Sequence, residues 1–103
     1  GCGNLWEYDP LLDSWSQKAD FEGGYRMDPV GFSIGNKGYM GTGRDDYVRK
    51  DFWEYDPLLN SWTQLADFGG VARAEAVGFS IGNKGYIGTG YDADSHNLED
   101  FWE

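Results

Sequence analysis

The sequence has few of the residues that build disulfides, histidine metal centres or anion-binding sites. Among its 103 residues are one cysteine, one histidine and three prolines, and eight Lys and Arg side chains stand against eighteen Asp and Glu. The lone Cys2 excludes an internal disulfide and stays open as a free thiol, a crosslink between chains, a remnant of cloning or a lipid-anchored terminus. The lone His96 excludes a histidine-based metal centre within one chain. We therefore expect no metal, no other cofactor and no catalytic residue.

The net charge of −10 and the lack of long apolar runs narrow the classes of partner. The phosphates of nucleic acids require Lys and Arg contacts, so an acidic chain disfavours nucleic acid, and it disfavours anionic membranes for the same reason. No stretch approaches the roughly 18 apolar residues of a membrane span, and no signal peptide is visible. We expect the partners to be proteins, further copies of this chain among them.

Aromatic residues and glycine are abundant instead. Aromatics make up 17% of the chain, and there are 16 glycines. Many aromatics and glycines without a long apolar run are typical of short strands joined by tight turns. At this length the chain forms one domain at most, and a small one for a self-sufficient core.

The chain repeats itself with a period of 47 residues. LWEYDPLLDSW at 5–15 returns as FWEYDPLLNSW at 52–62. When residues 5–43 are aligned with residues 52–90, 28 of the 39 positions are identical. FWE at 101–103 begins the motif a third time, 49 residues after Phe52. Such a period is typical of solenoids and propellers. Helical repeats share it, but the five glycines of VGFSIGNKGYIGTG (77–90) disfavour a helix.

Each repeat predicts four short strands. In the complete copy these are VGFSIG, KGYMGTG, DFWEYD and SWTQLA, at 30–35, 37–43, 51–56 and 61–66. Turns at Asn36-Lys37 and Asn83-Lys84 are expected to join the first two strands into hairpins. Glycines inside those strands predict a close approach of neighbouring backbones. Four antiparallel strands in units too small to bury their own faces are typical of propeller blades.

At these residues the chain resembles the Kelch repeat. A tyrosine and a tryptophan stand seven residues apart, as in that family, at Tyr8 and Trp15 and again at Tyr55 and Trp62. Gly-Thr-Gly at 41–43 and 88–90 stands where the family has adjacent glycines, which is a departure that both copies share. Arg26 and Arg73 match an arginine that often enters the first strand of the repeat. Kelch propellers serve as protein-interaction modules, as the scaffold of a copper site and as a sialic-acid mutarotase, so the resemblance implies a fold more than an activity.

The resemblance implies an all-β fold of Kelch-type β-propeller blades, with two blades' worth per chain. Within the single segment 1–103, the predicted parts are the third and fourth strands of a split blade at 1–21, a full blade at 22–68, and the first to third strands of the split blade at 69–103. Residues 1–7 and 97–103 then correspond to the same position in the split blade, which only one of the two segments can occupy. Either the chain is a piece of a longer propeller, or several chains close a ring by completing one another's split blades. We expect a ring, of six blades from three chains or eight from four.

The two copies differ mainly along one predicted rim. There RDDYVRK (44–50) stands against YDADSHNLE (91–99), and EGGYRMDP (22–29) stands against GGVARAEA (69–76). Loops that are free of turn constraints carry function or drift. The predicted partner-binding rim consists of Tyr25, Arg26, Arg44, Asp45, Asp46, Tyr47, Arg49, Arg73, Tyr91 and His96. The aromatics at strand spacing are predicted to pack between blades instead, namely Trp6, Tyr8, Trp15, Trp53, Tyr55 and Trp62.

The leading functional hypothesis is a non-catalytic, self-associating propeller unit that serves as an interaction or scaffold module. A fragment or engineered sequence without independent activity stays open. The alternative is a glycan or small acidic ligand, or mutarotase-like activity, at a central pore lined by Arg26 and Arg73, whose guanidinium groups suit carboxylates. The oxygen-rich run of Asp92, Asp94 and Asn97 lacks the glycine and glutamate spacing of a calcium loop, so we expect a solvated acidic loop.

Overall fold

The computed structural model describes residues 4–103, so Cys2 lies outside the described part of the chain. Residues 4–103 contain no helix, and hence none that is long and apolar enough to cross a membrane. They form nine strands in chain order: β1 (Leu5–Asp9), β2 (Ser14–Lys18), β3 (Val30–Ile34), β4 (Lys37–Gly41), β5 (Phe52–Asp56), β6 (Ser61–Gln64), β7 (Val77–Ile81), β8 (Lys84–Gly88) and β9 (Phe101–Trp102).

These strands form three antiparallel sheets. The first sheet pairs β1 with β2, the second has the order β3-β4-β5-β6, and the third has the order β7-β8-β9. Each sheet is a meander, because strands that follow one another in the chain lie side by side. The three sheets stay open at their edges and do not close on one another. The prediction of an all-β chain is confirmed at this level.

The strands lie within two residues of their predicted ends. The predicted turns between β3 and β4 and between β7 and β8 are wrong by one residue. Lys37 pairs with Ile34, so the two turn residues are Gly35 and Asn36. Gly35 has a φ of 58°, in the left-handed region that two-residue hairpin turns require and that glycine adopts most readily. The same correction applies to Asn83-Lys84, because the third sheet repeats this pairing.

The second and third sheets pack face to face around a small core. Val30, Phe68 and Ile87 are buried at their contact. The ring of Phe32 lies against Gly85, where an added Cβ would come within 2.5 Å of ring carbons. Glycine leaves room for this ring, and the backbone approach predicted from the strand glycines is seen instead at Gly88, beside the carbonyl oxygen of Asp100.

Each linking segment reaches forward to the next sheet. After β2, the carbonyl oxygen of Ala19 accepts a 3.1 Å hydrogen bond from Nε1 of Trp62. The ring of Phe21 packs edge-on against Trp62, with a centroid distance of 5.0 Å. After β6, Phe68 packs edge-on against Trp102 at 6.0 Å. In both places, a phenylalanine of the linking segment thus packs edge-on against a tryptophan of the next sheet.

Candidate functional site

Arg26 and Arg73 occupy equivalent places in the two linking segments, and each binds a carboxylate of the following sheet. Arg26 donates to both carboxylate oxygens of Asp51, at 2.6 and 2.8 Å. Arg73 donates to both oxygens of Asp100, at 2.7 and 2.9 Å. Each also donates to a threonine carbonyl oxygen, at 2.7 and 3.0 Å. Such two-point contacts are the strongest hydrogen bonds that arginine makes.

The structure corrects the sequence-based placement of these two arginines on an exposed rim. Arg26 is 9% exposed and Arg73 is fully buried. Both guanidinium groups are already bound by carboxylates, so the pore alternative is left without free cations at these positions. Their role in this chain is to hold each linking segment against the next sheet.

These contacts lower the pKa values of both carboxyl groups. Hydrogen bonds from Arg73, and then from Trp102, hold the pKa of Asp100 well below its usual range. For Asp51, burial raises the pKa, but the hydrogen bonds from Arg26 and Trp53 and the positive charge of Arg26 lower it, and the net shift is downward. A carboxyl group whose pKa is lower in the folded state stabilises the fold above its ordinary pKa of about 4, and this contribution is lost as the pH falls further.

Acid should therefore destabilise the chain through these pairs. We expect the midpoint of thermal unfolding to change little from about pH 7 to pH 5 and to fall between about pH 4 and pH 2. The variant Asp51→Asn should unfold at a lower temperature at neutral pH but lose less on acidification. Circular dichroism melts across this range measure both effects. Equal acid losses in the two proteins would contradict a contribution from the Arg26–Asp51 pair.

The variable segments of the two copies lie side by side. Met27 and Arg44 exchange backbone hydrogen bonds of 2.7 and 2.8 Å. The loop that follows β4 also contacts the next linking segment, because the N–H of Arg73 donates to the carbonyl oxygen of Arg49 at 3.1 Å. Loop and linking segments thus form one continuous surface. Its exposed predicted residues are Tyr25, Asp46, Tyr47 and His96, while Arg44, Asp45, Arg49 and Tyr91 are half-buried.

An ion pair closes the first of these loops. Two N–H groups of Arg49 reach the two carboxylate oxygens of Asp45, each at 2.9 Å. The hydrogen bond from Arg49 lowers the pKa of Asp45 to about 2. At the equivalent place of the second copy, Asp92 lies 3.5 Å from Nδ1 of His96, which carries a charge only when protonated. In both loops an aspartate thus contacts the residue four positions later. That residue is a permanently charged arginine in the first loop and a histidine in the second.

The carboxylate of Asp92 already has backbone partners. Its Oδ1 accepts the N–H groups of Asp94 at 3.0 Å and of His96 at 2.9 Å, and these bonds lower its pKa. The side chains of Asp92, Asp94 and His96 place potential ligand atoms within 4.8 Å of one another, and the last two are exposed. These backbone hydrogen bonds hold the carboxylate of Asp92 within its own loop, and the solvated acidic loop stays a prediction from the sequence.

The first sheet is a preformed copy of the outer half of the second sheet. The rings of Tyr8 and Trp15 lie 5.0 Å apart at 47°, and those of Tyr55 and Trp62 lie 5.1 Å apart at 50°. Each tyrosine hydroxyl donates to a turn side chain, at 2.7 and 2.6 Å. Yet Trp62 is 8% exposed and Trp15 is 64% exposed. Two nearly identical hairpins are thus covered in one copy and uncovered in the other.

The inter-sheet packing predicted for six aromatics is therefore seen in one copy of the motif. Trp53, Tyr55 and Trp62 are buried or half-buried, and two of them contact Phe21. Their counterparts are exposed in the single chain, because no linking segment within residues 4–103 covers them; these are Trp6, Tyr8 and Trp15.

Two complementary faces are also left free, and the sequence reasoning did not single them out. On the third sheet, the exposed apolar face includes Phe79 and Ile81. On the second sheet, the opposite face presents Gly38, where an added Cβ would meet only Tyr55 of the described chain, at 3.8 Å. Phe79 is the counterpart of Phe32, and Gly38 is the counterpart of Gly85. The two free faces therefore carry the same residues as the two sides of the contact between Phe32 and Gly85. The signal lies in VGFSIGNKGY, which is identical in both copies.

A cleft of about 350 Å³ lies between the second and third sheets. It borders β9, beside which the third sheet has no counterpart of β6. Its aromatic lining consists of Phe32, Tyr39, Phe52, Phe68 and Trp102. The cleft therefore lies where an outer hairpin would complete the third sheet.

Comparison with known proteins finds matches among solved structures. No family model matches the chain, and no curated protein matches it. Among solved structures, that of YjhT is similar, with a TM-score of 0.79 and 26% sequence identity. The match covers 89% of this chain and 29% of YjhT, so the chain spans less than a third of that protein. The fold of this chain is thus similar to that of a segment of YjhT.

Proposed function

We propose that this chain is a non-catalytic, self-associating unit of a Kelch-type β-propeller, which serves as a protein-interaction or scaffold module. Each four-stranded sheet is one blade, and several copies of the chain close the ring. The observation that carries the proposal is that the chain holds one complete four-stranded sheet and two two-stranded halves of another, β1-β2 and β7-β8, of which the second also carries the two-residue strand β9. The exposed side chains of the variable rim loops are the surface that we assign to other proteins.

The two halves fit each other by the register of the complete sheet. In that sheet β4 pairs with β5 so that Met40 faces Trp53 and Gly41 faces Phe52. By the same register, β8 of one copy would pair with β1 of the next. This pairing turns an exposed two-stranded ribbon, which is marginal alone, into part of a four-stranded sheet.

Self-association would also cover the exposed aromatics. The hairpin of β1 and β2 would enter the cleft beside Phe68, as β5 and β6 lie beside Phe21. Nε1 of Trp15 would then reach the carbonyl oxygen of Ala66, the counterpart of Ala19. Burying a large apolar side chain contributes roughly 1.5–3 kcal/mol, so covering Trp15 and its two exposed neighbours favours association strongly.

A head-to-tail contact of this kind makes a closed ring when its rotation completes a circle. Propellers have four to eight blades, so two blades per chain allow a ring of two, three or four copies, and we expect six or eight blades from three or four copies. The match to 29% of YjhT favours three, because three such segments approach the length of that protein. The ring would then have six blades.

Native mass spectrometry tests the proposal directly. We expect a single assembly of three chains, each of 11.6 kDa, with four chains as the other closed ring that fits the proposal. Light scattering after gel filtration should give the same mass and should show no continuous growth with concentration. A monomeric mass up to the highest soluble concentration would overturn the proposal, and so would an open series of sizes.

A further inference from the structure

We infer that Asp100 to Glu103 act as an intramolecular competitor for the edge at which β1 of a second copy pairs, and that Arg73 selects between the two segments. The inference rests on the proposed self-association and specifies how it is regulated. In the single chain β9 holds the edge of β8. In the assembly β1 of the neighbouring copy replaces it.

The competition follows from the equivalence of the two segments. β9 pairs with β8 through two residue pairs, Ile87 with Trp102 and Gly88 with Phe101. Leu5-Trp6-Glu7 aligns with Phe101-Trp102-Glu103, so β1 of another copy requires the same edge of the same strand. Two strands cannot share one edge, so each docking of β1 must displace β9.

The contacts of β9 are few, and most of them come from side chains. Phe101 and Trp102 are 51% and 43% exposed. Trp102 packs against Phe68, and the hydroxyl of Tyr86 donates to Glu103 at 3.0 Å. No further strand within the described residues covers β9. An entering hairpin gains more, because β2 follows β1 and fills the place of the missing fourth strand.

The buried guanidinium of Arg73 opposes this exchange. Its carboxylate partner Asp100 corresponds to Asp51 in the second sheet, but to Asn4 in the segment that would replace it. An amide has one acceptor oxygen where a carboxylate has two, and it cannot neutralise a buried cation. Docking of β1 therefore exchanges a charge-assisted pair for a neutral one. Because Asn4 stands where the complete sheet has Asp51, β1 of another copy binds β8 less strongly than β5 binds β4.

Two substitutions test the inference in opposite segments. Asn4→Asp gives β1 the carboxylate that β5 already has, and we expect it to lower the dissociation constant of the assembly about tenfold, since charge-assisted hydrogen bonds are about twice as strong as neutral ones. Asp100→Asn weakens β9 alone and should also lower that constant. Asp51→Asn is the matched control, because it weakens the second sheet equally in the free and the assembled chain. Sedimentation equilibrium measures all four proteins.

The outcomes separate the inference from the proposed function. If the parent chain associates but Asn4→Asp and Asp100→Asn leave its dissociation constant unchanged, the competitor is overturned and self-association stands. A weaker assembly with Asp100→Asn would show that β9 is part of the interface, which also overturns it. If every variant stays monomeric, the proposed function fails, and the inference fails with it.

Discussion

Replacing Arg26 with methionine is expected to lower the free energy of unfolding by about 3 kcal/mol. The methionine would lose the contact of the guanidinium group with the ring of Phe21, at 5.4 Å, and would leave the carboxylate of Asp51 without its cation. It would also leave the carbonyl oxygens of Gly23 and Thr42 without a donor. Removing one partner of a buried ion pair costs about 3–5 kcal/mol, and the lower end applies because Asp51 is partly exposed. Urea unfolding followed by tryptophan fluorescence measures the loss.

A more exposed ion pair of the same chain is the matched control. Lys18 lies 3.5 Å from Glu7, and the two side chains are 30% and 52% exposed. Exposed pairs contribute less than about 1 kcal/mol, so Lys18→Met should have a small effect. Similar losses in Arg26→Met and Lys18→Met would contradict a structural role for the buried guanidinium.

The strands and their order could be predicted from the sequence because local rules determine them. Alternating aromatic and polar residues, and the turn-forming DPLLD and DPLLN, place each strand within two residues. The predicted turn at Asn36-Lys37 lies one residue too late, because asparagine is itself a common turn residue. The left-handed conformation belongs to Gly35, which the alternating pattern assigns to the end of the strand.

The burial of the two arginines depends on a long-range partner. Arg26 and Asp51 are 25 residues apart, and no pattern within one strand relates them. A signal was nevertheless present, because each arginine recurs together with an aspartate before Phe-Trp-Glu, at Asp51 and Asp100. This joint recurrence of an arginine and an aspartate is the signal in the sequence that points to both ion pairs.

Exposure could not be predicted from the repeat at all. Trp15 and Trp62 lie in nearly identical hairpins, yet they differ from 64% to 8% in exposure. The difference arises because Ala19 and Phe21 cover Trp62, whereas no described segment covers Trp15. A motif defines which residues require a neighbour, and the arrangement of the sheets decides which of them have one.

The equivalent glycines Gly38 and Gly85 give the sharpest separation of folding from association. A Cβ at Gly85 would collide with Phe32 of the same chain, at 2.5 Å, whereas a Cβ at Gly38 would meet only Tyr55 at 3.8 Å. Gly85→Val should therefore lower the free energy of unfolding by about 1–3 kcal/mol. Gly38→Val should leave the single chain folded, because valine suits a strand and the face is free there.

The effect of Gly38→Val should appear in the assembly instead. In the proposed ring, Phe79 of one copy lies over Gly38 of the next, as Phe32 lies over Gly85 within the chain. The same steric cost should then weaken association roughly tenfold to a hundredfold, with unchanged circular dichroism and an unfolding midpoint that, for the monomer, equals that of the parent. Sedimentation equilibrium and thermal melts on both variants measure the two effects. If Gly38→Val associates as tightly as the parent chain, the glycine face is not the contact between copies, because no other role in the described structure requires glycine at that position.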